Sequence, residues 1–321
     1  MKKKDLPKLA IIVPCFNEME VLPFTIPKLK ELIKKLKKKN VISLESFICF
    51  VDDGSKDNTW EIIETGCTAD EFSGIKLSTN FGHQNALLAG LFENKSSADL
   101  FVTIDCDLQD DLQVIEKMVF SYLNGNQIVY GVRGSRKSDS FFKRISAGLF
   151  YNLQTKLGVN VIEHHADFRL ITQEVLFHLE KFNEVNLFLR AIFPTIGFKS
   201  DKIFYDRTSR VAGETKYPLK KMISFAWDGI TSFSVFPLRI ITVIGALIFL
   251  ISMVLGLYFL YLKLFTEKLF PGWASTVIPI YFIGGIQLLC IGIIGEYIGK
   301  IYKETKGRPK YIIEKALKWK K

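Results

Sequence analysis

The sequence predicts an α/β domain built on a parallel sheet, followed by a two-helix transmembrane hairpin. Three observations carry this expectation. Short, apolar, β-branched runs alternate with helix-periodic segments up to about residue 236. Those runs end in polar, carboxylate-rich turns. Two stretches, 240–262 and 269–295, contain no charged residue. At ~1.5 Å per residue each is long enough for a hydrocarbon core of ~30 Å.

The elements follow in order. LAIIVP (9–14) is the first strand, and a basic helix over about 21–39 repeats Leu22, Ile26, Leu29, Ile33 and Leu36 at helical spacing, with Pro23 and Pro27 near its start. FICFVDDGS (47–55) is a second buried strand running into a turn. IKLSTN (75–80) is a third, followed by a helix from about Gln84 to Asn94. DLFVTIDCD (99–107) is a fourth, again ending in carboxylates. Strand–helix alternation with polar strand ends places a site along the carboxyl edge of the sheet. The expected organisation is a domain over 1–218, a juxtamembrane amphipathic helix over 219–237, two spans over 238–300 (about 239–263 and 275–297), and a basic tail over 301–321. A further amphipathic stretch, Phe142 to Leu157, can also reach a membrane surface.

Composition narrows the function. The 321 residues are 48% hydrophobic with 24% charged, and mean hydropathy is +0.18. Disorder is excluded, and a polar part must coexist with a very apolar one. Net charge is +10, but Lys and Arg crowd the two ends of the hairpin and no nucleic-acid-binding motif accompanies them. The positive-inside rule places the domain and both termini in the cytoplasm, on a multi-pass protein of the inner (plasma) membrane. Five scattered cysteines with no CxxC pair suggest neither a zinc site nor disulfides. The absence of GxGxxG after the first strand and of GxxxxGK[ST] disfavours a dinucleotide dehydrogenase and a P-loop NTPase.

Chemistry concentrates in PCFNE (14–18), VDDGSKDNT (51–59) and IDCDLQDD (104–111), one at each of three strand ends. Asp105 and Asp107, two apart beside a strand end, can hold one hard divalent cation that keeps phosphates as its other ligands. His83 opens a helix, where it is either a solvated first turn or a phosphate contact. With NFGHQNALLAG (80–90), YGVRGSR (130–136), HADFRL (165–170), NLFLR (186–190), RVAGETKYPLKK (210–221), DGITSFSVFPLR (228–239) and the segment 284–312, these motifs are similar, in order, to family-2 glycosyltransferases of the GT-A fold, a Rossmann-like nucleotide-sugar domain. The resemblance is specifically to membrane-anchored polyprenyl-phosphate glycosyltransferases. These include dolichyl-phosphate-mannose synthases and the bacterial enzymes that load glucose or N-acetylglucosamine onto undecaprenyl phosphate.

That resemblance implies an enzyme passing one hexose from a UDP-sugar to undecaprenyl phosphate at the inner leaflet, with inversion. It implies Pro14, Phe16, Glu18, Asp53 and Asp105 at the donor. It implies Mg²⁺ or Mn²⁺ on Asp105 and Asp107, with Gln109 as a further ligand. Asp107 and Asp167 are the catalytic carboxylates, Asp167 either as base or as a residue orienting Arg169 or the acceptor. Arg133, Arg144, Arg169, Arg210 and Lys216 are the cations for the acceptor phosphate. Relatives continue DLQDPPE where this chain reads DLQDDLQ, a change that leaves the metal residues in place. The rivals are a processive polysaccharide synthase, whose Gln-x-x-Arg-Trp and extra spans are lacking here, and a non-catalytic membrane scaffold or flippase partner. The sugar is undecided between glucose and N-acetylglucosamine, and self-association into a homo-oligomer is left open.

Overall fold

The computed structural model describes residues 6–67, 72–134, 165–182, 184, 189–206, 236–265 and 273–317. The chain forms two compact units. The first contains β1 (Leu9–Cys15), α1 (Leu22–Lys38), β2 (Phe47–Asp52), α2 (Thr59–Gly66), β3 (Phe72–Leu77), α3 (His83–Glu93), β4 (Leu100–Thr103), α4 (Gln113–Leu123), β5 (Ile128–Arg133), β6 (His165–Thr172), α5 (Gln173–Leu179), α6 (Leu189–Ile196) and β7 (Ser200–Tyr205). The second holds α7 (Phe236–Phe265) and α8 (Trp273–Thr305), after which β8 (Ile313–Leu317) belongs to the first unit again.

The strands join in the order β7-β5-β6-β4-β1-β2-β3-β8. β3, β2, β1 and β4 are parallel neighbours, as the alternation of strands and helices requires. The sheet is nevertheless mixed. β6 runs antiparallel to both β4 and β5, and β8 antiparallel to β3. The reversal of β6 matters for the site: its first residues, not its last, lie beside the end of β4, with Thr103 opposite Arg169.

β1 and β2 are buried along their whole length, as strands covered on both faces must be. α1 buries Leu22, Thr25, Leu29, Ile33 and Leu36. Pro23 occupies its first turn, where an N–H would be unpaired anyway, and Pro27 gives up a single helical hydrogen bond. α3 lies close over the sheet because Gly90 has no side chain: a Cβ there would come within 2.4 Å of Ile12 Cγ2.

α7 and α8 present apolar side chains outward, among them Val243, Leu247, Leu257, Leu288 and Ile291. Phe282–Thr305 within α8 has the length and composition of a membrane span, with a mean hydropathy of 1.6 over an 18-residue window, none of which is buried; the apolar run in α7 is Ile240–Leu255. Of the segment 301–321, expected from sequence to be a basic tail, residues 301–305 complete α8 and Ile313–Leu317 form the edge strand β8. Its register sets Ile313, Lys315, Ala316 and Leu317 against Leu77, Lys76, Ile75 and Gly74. Lys76 pairs with Glu314 and Lys315 with Glu64. The stretches 142–157 and 219–233, and with them Arg144, Arg210 and Lys216, lie outside the described residues.

Candidate active site

Two loops at the carboxyl edge are cross-linked into one platform. The backbone N–H of Asn17 donates to Ser55 Oγ (2.9 Å), that of Lys56 to Asn17 Oδ1 (2.9 Å), and that of Glu18 to Thr59 Oγ1 (2.8 Å). Asp57 accepts from the Thr59 amide at 3.0 Å. The short polar residues of PCFNE and DDGSKDNT therefore replace ladder bonds once the strands end. Asn17 takes a positive φ of 54° to make this turn. Gly54, at φ +66°, passes so near the Thr79–Asn80 backbone that a Cβ would meet Thr79 C at 2.4 Å.

Within this platform Pro14 is buried in β1, Glu18 is half-buried, and Phe16 is 42% exposed, a ring face available for a base to stack on. Asp53 is buried and accepts from the backbone N–H groups of Phe81 (2.7 Å) and Gly82 (2.9 Å), one on each oxygen. It thereby ties the end of β2 to the loop that opens α3. Burial pushes its carboxyl up, against the pull of those two amides.

The loop after β4 carries Asp105, Asp107, Gln109 and Asp110. Leu108 turns it with φ +46°, and Asp107 Oδ1 accepts from the Gln109 amide at 3.3 Å. The side chain of Gln109 is buried. Burial, and then the neighbouring Asp167, Asp110 and Asp107, push the Asp105 carboxyl up; His83 pulls it the other way. Among the described residues no three carboxylate, imidazole or thiol groups converge into a closed metal site. Two carboxylates on one turn fit an open hard-cation site completed by substrate oxygens. Crowded carboxylates of this kind are electrostatically suited to a cation.

Asp167, at the start of β6, stands at the centre of a charge cluster. Arg169 Nη2 donates to its Oδ1 at 2.5 Å, and Arg190 at the start of α6 reaches Oδ2 through Nη2 at 2.9 Å and Oδ1 through Nε at 3.3 Å. His83 Nε2 lies 3.7 Å from Asp167 Oδ2 and 3.5 Å from Asp105 Oδ1, linking the two carboxylates. Burial alone would raise the Asp167 carboxyl; the Arg190 and Arg169 guanidiniums outweigh it and hold it well below the usual carboxylate range. Gln84 Oε1 accepts from the Leu189 amide at 3.2 Å, joining the first turns of α3 and α6.

The expectation of Arg169 at an acceptor phosphate is corrected by this geometry. Its side chain is 1% exposed, packed over the Phe193 ring at 4.6 Å and bonded to the Leu189 carbonyl at 3.4 Å. It works behind Asp167. Arg133, at the end of β5, has Nη2 on Asp110 Oδ1 at 3.3 Å. Arg190, in contrast, is 41% exposed. In the sequence Arg190 is marked only as the last residue of NLFLR; its pairing with Asp167 depends on two elements meeting and has no spacing signal.

Residues 10–179 match the family model for glycosyl transferase family 2, and residues 236–301 match that of the GtrB C-terminal hairpin. The chain is a family 2 glycosyltransferase. It is 52% identical over 317 residues to the uncharacterized glycosyltransferase YkoT of Bacillus subtilis (strain 168), covering 97% of this chain and 93% of that one. It is 38% identical over 313 residues to the prophage bactoprenol glucosyl transferase homolog of Escherichia coli (strain K12), covering 97% and 100%. It is 39% identical over 311 residues to the SfII prophage-derived bactoprenol glucosyl transferase of Shigella flexneri, covering 96% and 98%. The mixed α/β unit of this glycosyltransferase is thus a GT-A domain, and α7 and α8 are its C-terminal hairpin.

Proposed function

We propose that this glycosyltransferase transfers one hexose, glucose or N-acetylglucosamine, from a UDP-sugar to undecaprenyl phosphate, making a lipid-monophosphate sugar for cell-envelope glycosylation. The observation that carries the reading is the full-length similarity to bactoprenol glucosyl transferases, which runs through both the carboxylate-lined strand ends and the apolar hairpin. The chain leaves the GT-A unit before α7 and is back in its sheet at β8. Two crossings by α7 and α8 satisfy that connectivity and keep the domain and both termini on one side, at the inner leaflet.

Phe16 and the Asp53-anchored loop form the floor for the uridine, with Pro14 and Glu18 beside it. Asp105 and Asp107, with Gln109 in the same turn, would hold Mg²⁺ or Mn²⁺, which when bound neutralises charge on the leaving diphosphate. The acceptor is a phosphate monoester with a second pKa of about 6, so it is mostly dianionic near neutral pH. Its oxygen attacks C1 as the C1–O bond to UDP breaks, and a single displacement inverts the anomeric centre. A strong base is not needed, and Asp167 held between two guanidiniums is a poor one. Its role is to fix Arg190 and His83 around the reacting phosphates. Arg144, Arg210 and Lys216 supply further cations for the lipid phosphate, and Arg133 braces the loop of Asp105 and Asp107.

UDP release by membranes with and without undecaprenyl phosphate tests the reading. Release that requires the lipid supports it, and release independent of any polyprenyl phosphate rejects it. External labelling of single cysteines should reach position 267 and not position 314; labelling at 314 would reject the hairpin topology.

A further inference from the structure

The loop carrying Asp105 and Asp107 is pinned at its far end through Asp110, by Arg133 and by Tyr205. Asp110 is 2% exposed. Its Oδ1 accepts both the phenol hydroxyl of Tyr205 and Arg133 Nη2. Arg133 and Tyr205 are the last residues of the parallel strands β5 and β7 and lie directly opposite each other in register. Tyr205 is buried, and its ring stands edge-on to Phe168 with centroids 5.6 Å apart. Phe168 separates Asp167 from Arg169 in the chain. One buried hydroxyl therefore connects the strand bearing Asp167 to the turn bearing Asp105 and Asp107. Among the described residues the Nε of Arg133 is buried with no partner, while its Nη2 is directed at Asp110.

A turn with a positive φ at Leu108 is not held by local preference. Distant contacts select it: Thr25 Oγ1 in α1 donates to the Cys106 carbonyl at 2.7 Å, and Asp110 anchors the far end. We propose that Tyr205 and Asp110 are a positioning pair that holds the 105–110 turn in the form that presents Asp105 and Asp107 to a divalent cation together with a nucleoside diphosphate. Tyr205 touches neither cation nor nucleotide and acts through Asp110. The inference rests on the reading that Asp105 and Asp107 bind the cation.

The test uses the full chain in lipid nanodiscs. Free Mn²⁺ is followed by electron paramagnetic resonance during titration, with and without UDP. Tyr205→Phe removes one hydroxyl and keeps the ring on Phe168. The expected result is Mn²⁺ affinity in the presence of UDP about tenfold weaker, or ~1.4 kcal/mol. UDP binding without metal and the melting temperature should stay near the wild type. Transfer by the variant should recover when Mn²⁺ is raised, which places the defect in metal dependence and not in turnover. Asp110→Asn should shift affinity in the same direction; if it does not fold, Tyr205→Phe decides alone. Wild-type Mn²⁺ affinity in Tyr205→Phe, whatever its melting temperature, overturns the inference and leaves the metal reading intact. Absence of saturable UDP-linked Mn²⁺ binding in the wild type overturns the metal reading itself, and this inference with it.

Discussion

Arg190 and Asp167 meet through two contacts, Nη2 to Oδ2 at 2.9 Å and Nε to Oδ1 at 3.3 Å, so one side of the guanidinium spans the carboxylate. Behind the carboxylate sits Arg169, with no access to water. The two arginines have different consequences when Asp167 is altered. Asp167→Asn leaves Arg169 buried without its counter-charge, and breaking a buried pair in this way costs about 3–5 kcal/mol. Arg190→Ala removes a half-exposed group, so the fold should survive while transfer falls by roughly 10- to 150-fold, the loss of a charge-assisted contact of ~1.5–3 kcal/mol. Arg190→Lys should restore only part, because it keeps the charge and loses the fork. Thermal melts and initial rates of the three variants check this.

The same cluster sets an acid limit. The folded-state Asp167 carboxyl lies below its unfolded value, so the ionised form is favoured by folding. Its contribution is fully present above the unfolded value of about 3.9 and is lost as pH falls below it. The difference in melting temperature between the wild type and Asp167→Asn should be full near about pH 7 and should narrow below about pH 4. A gap that stays constant to the lowest accessible pH would contradict the assignment.

For Asp105 the sign is opposite. Burial and neighbouring carboxylates raise its carboxyl above the unfolded value, so ionising it opposes folding as pH rises through the acidic range. Asp105→Asn should therefore melt at or above the wild-type temperature at neutral pH while losing transfer. Asp107→Ala should also lose transfer with the fold retained. EDTA should reproduce the loss in the wild type, and added Mg²⁺ or Mn²⁺ should reverse it; transfer persisting in EDTA would contradict the role given to both residues.

Asp53 accepts two backbone N–H groups, from Phe81 and Gly82, and both of its oxygens are used. An amide side chain has one acceptor and one donor end, so Asn would set an NH₂ against one of those N–H groups. Asp53→Asn should lower stability by about 1–3 kcal/mol, as should Asp53→Ala, and weaken UDP binding. Denaturant melts and calorimetry with UDP are the measurements.

β8 separates packing from surface charge. Leu317 packs against the main core cluster, whereas Lys315 and Glu64 are both largely exposed. Leu317→Asp should destabilise by about 1–2 kcal/mol. Lys315→Ala should leave the melting temperature unchanged within error.

The residues that were legible in the sequence are those whose local pattern decides their state. β1, β2 and β4 are buried on both faces and read as apolar runs, and α1 shows its buried stripe at helical spacing. Their carboxyl ends could be placed at one edge because parallel strands force it. The direction of β6 could not be read this way, because it depends on pairing with β4 and β5 across a long connection. Consequently the motif alone puts Arg169 at the acceptor phosphate, where the assembled sheet buries it behind Asp167. Its position two residues after Asp167 on a strand puts the two side chains on one face, which was the available hint of an internal pair. β8 was hidden by composition: IEKAL is the charged, half-exposed sequence of a protected edge strand and resembles a tail. Tyr205 and Asp110 lie 95 residues apart, and only the assembled sheet brings them together.

The central claim is single transfer from a UDP-sugar to a polyprenyl phosphate. Purified full-length protein, undecaprenyl phosphate in nanodiscs, Mg²⁺ or Mn²⁺, and a panel of UDP-sugars, read by mass spectrometry of the extracted lipid, tests it most directly. The predicted result is one lipid product carrying one hexose or one N-acetylhexosamine through a single phosphate, formed from UDP-glucose or UDP-N-acetylglucosamine and absent in Asp105→Asn. Lipids bearing several added sugars, or no glycosylated lipid with any UDP-sugar in a preparation that binds UDP, would contradict it.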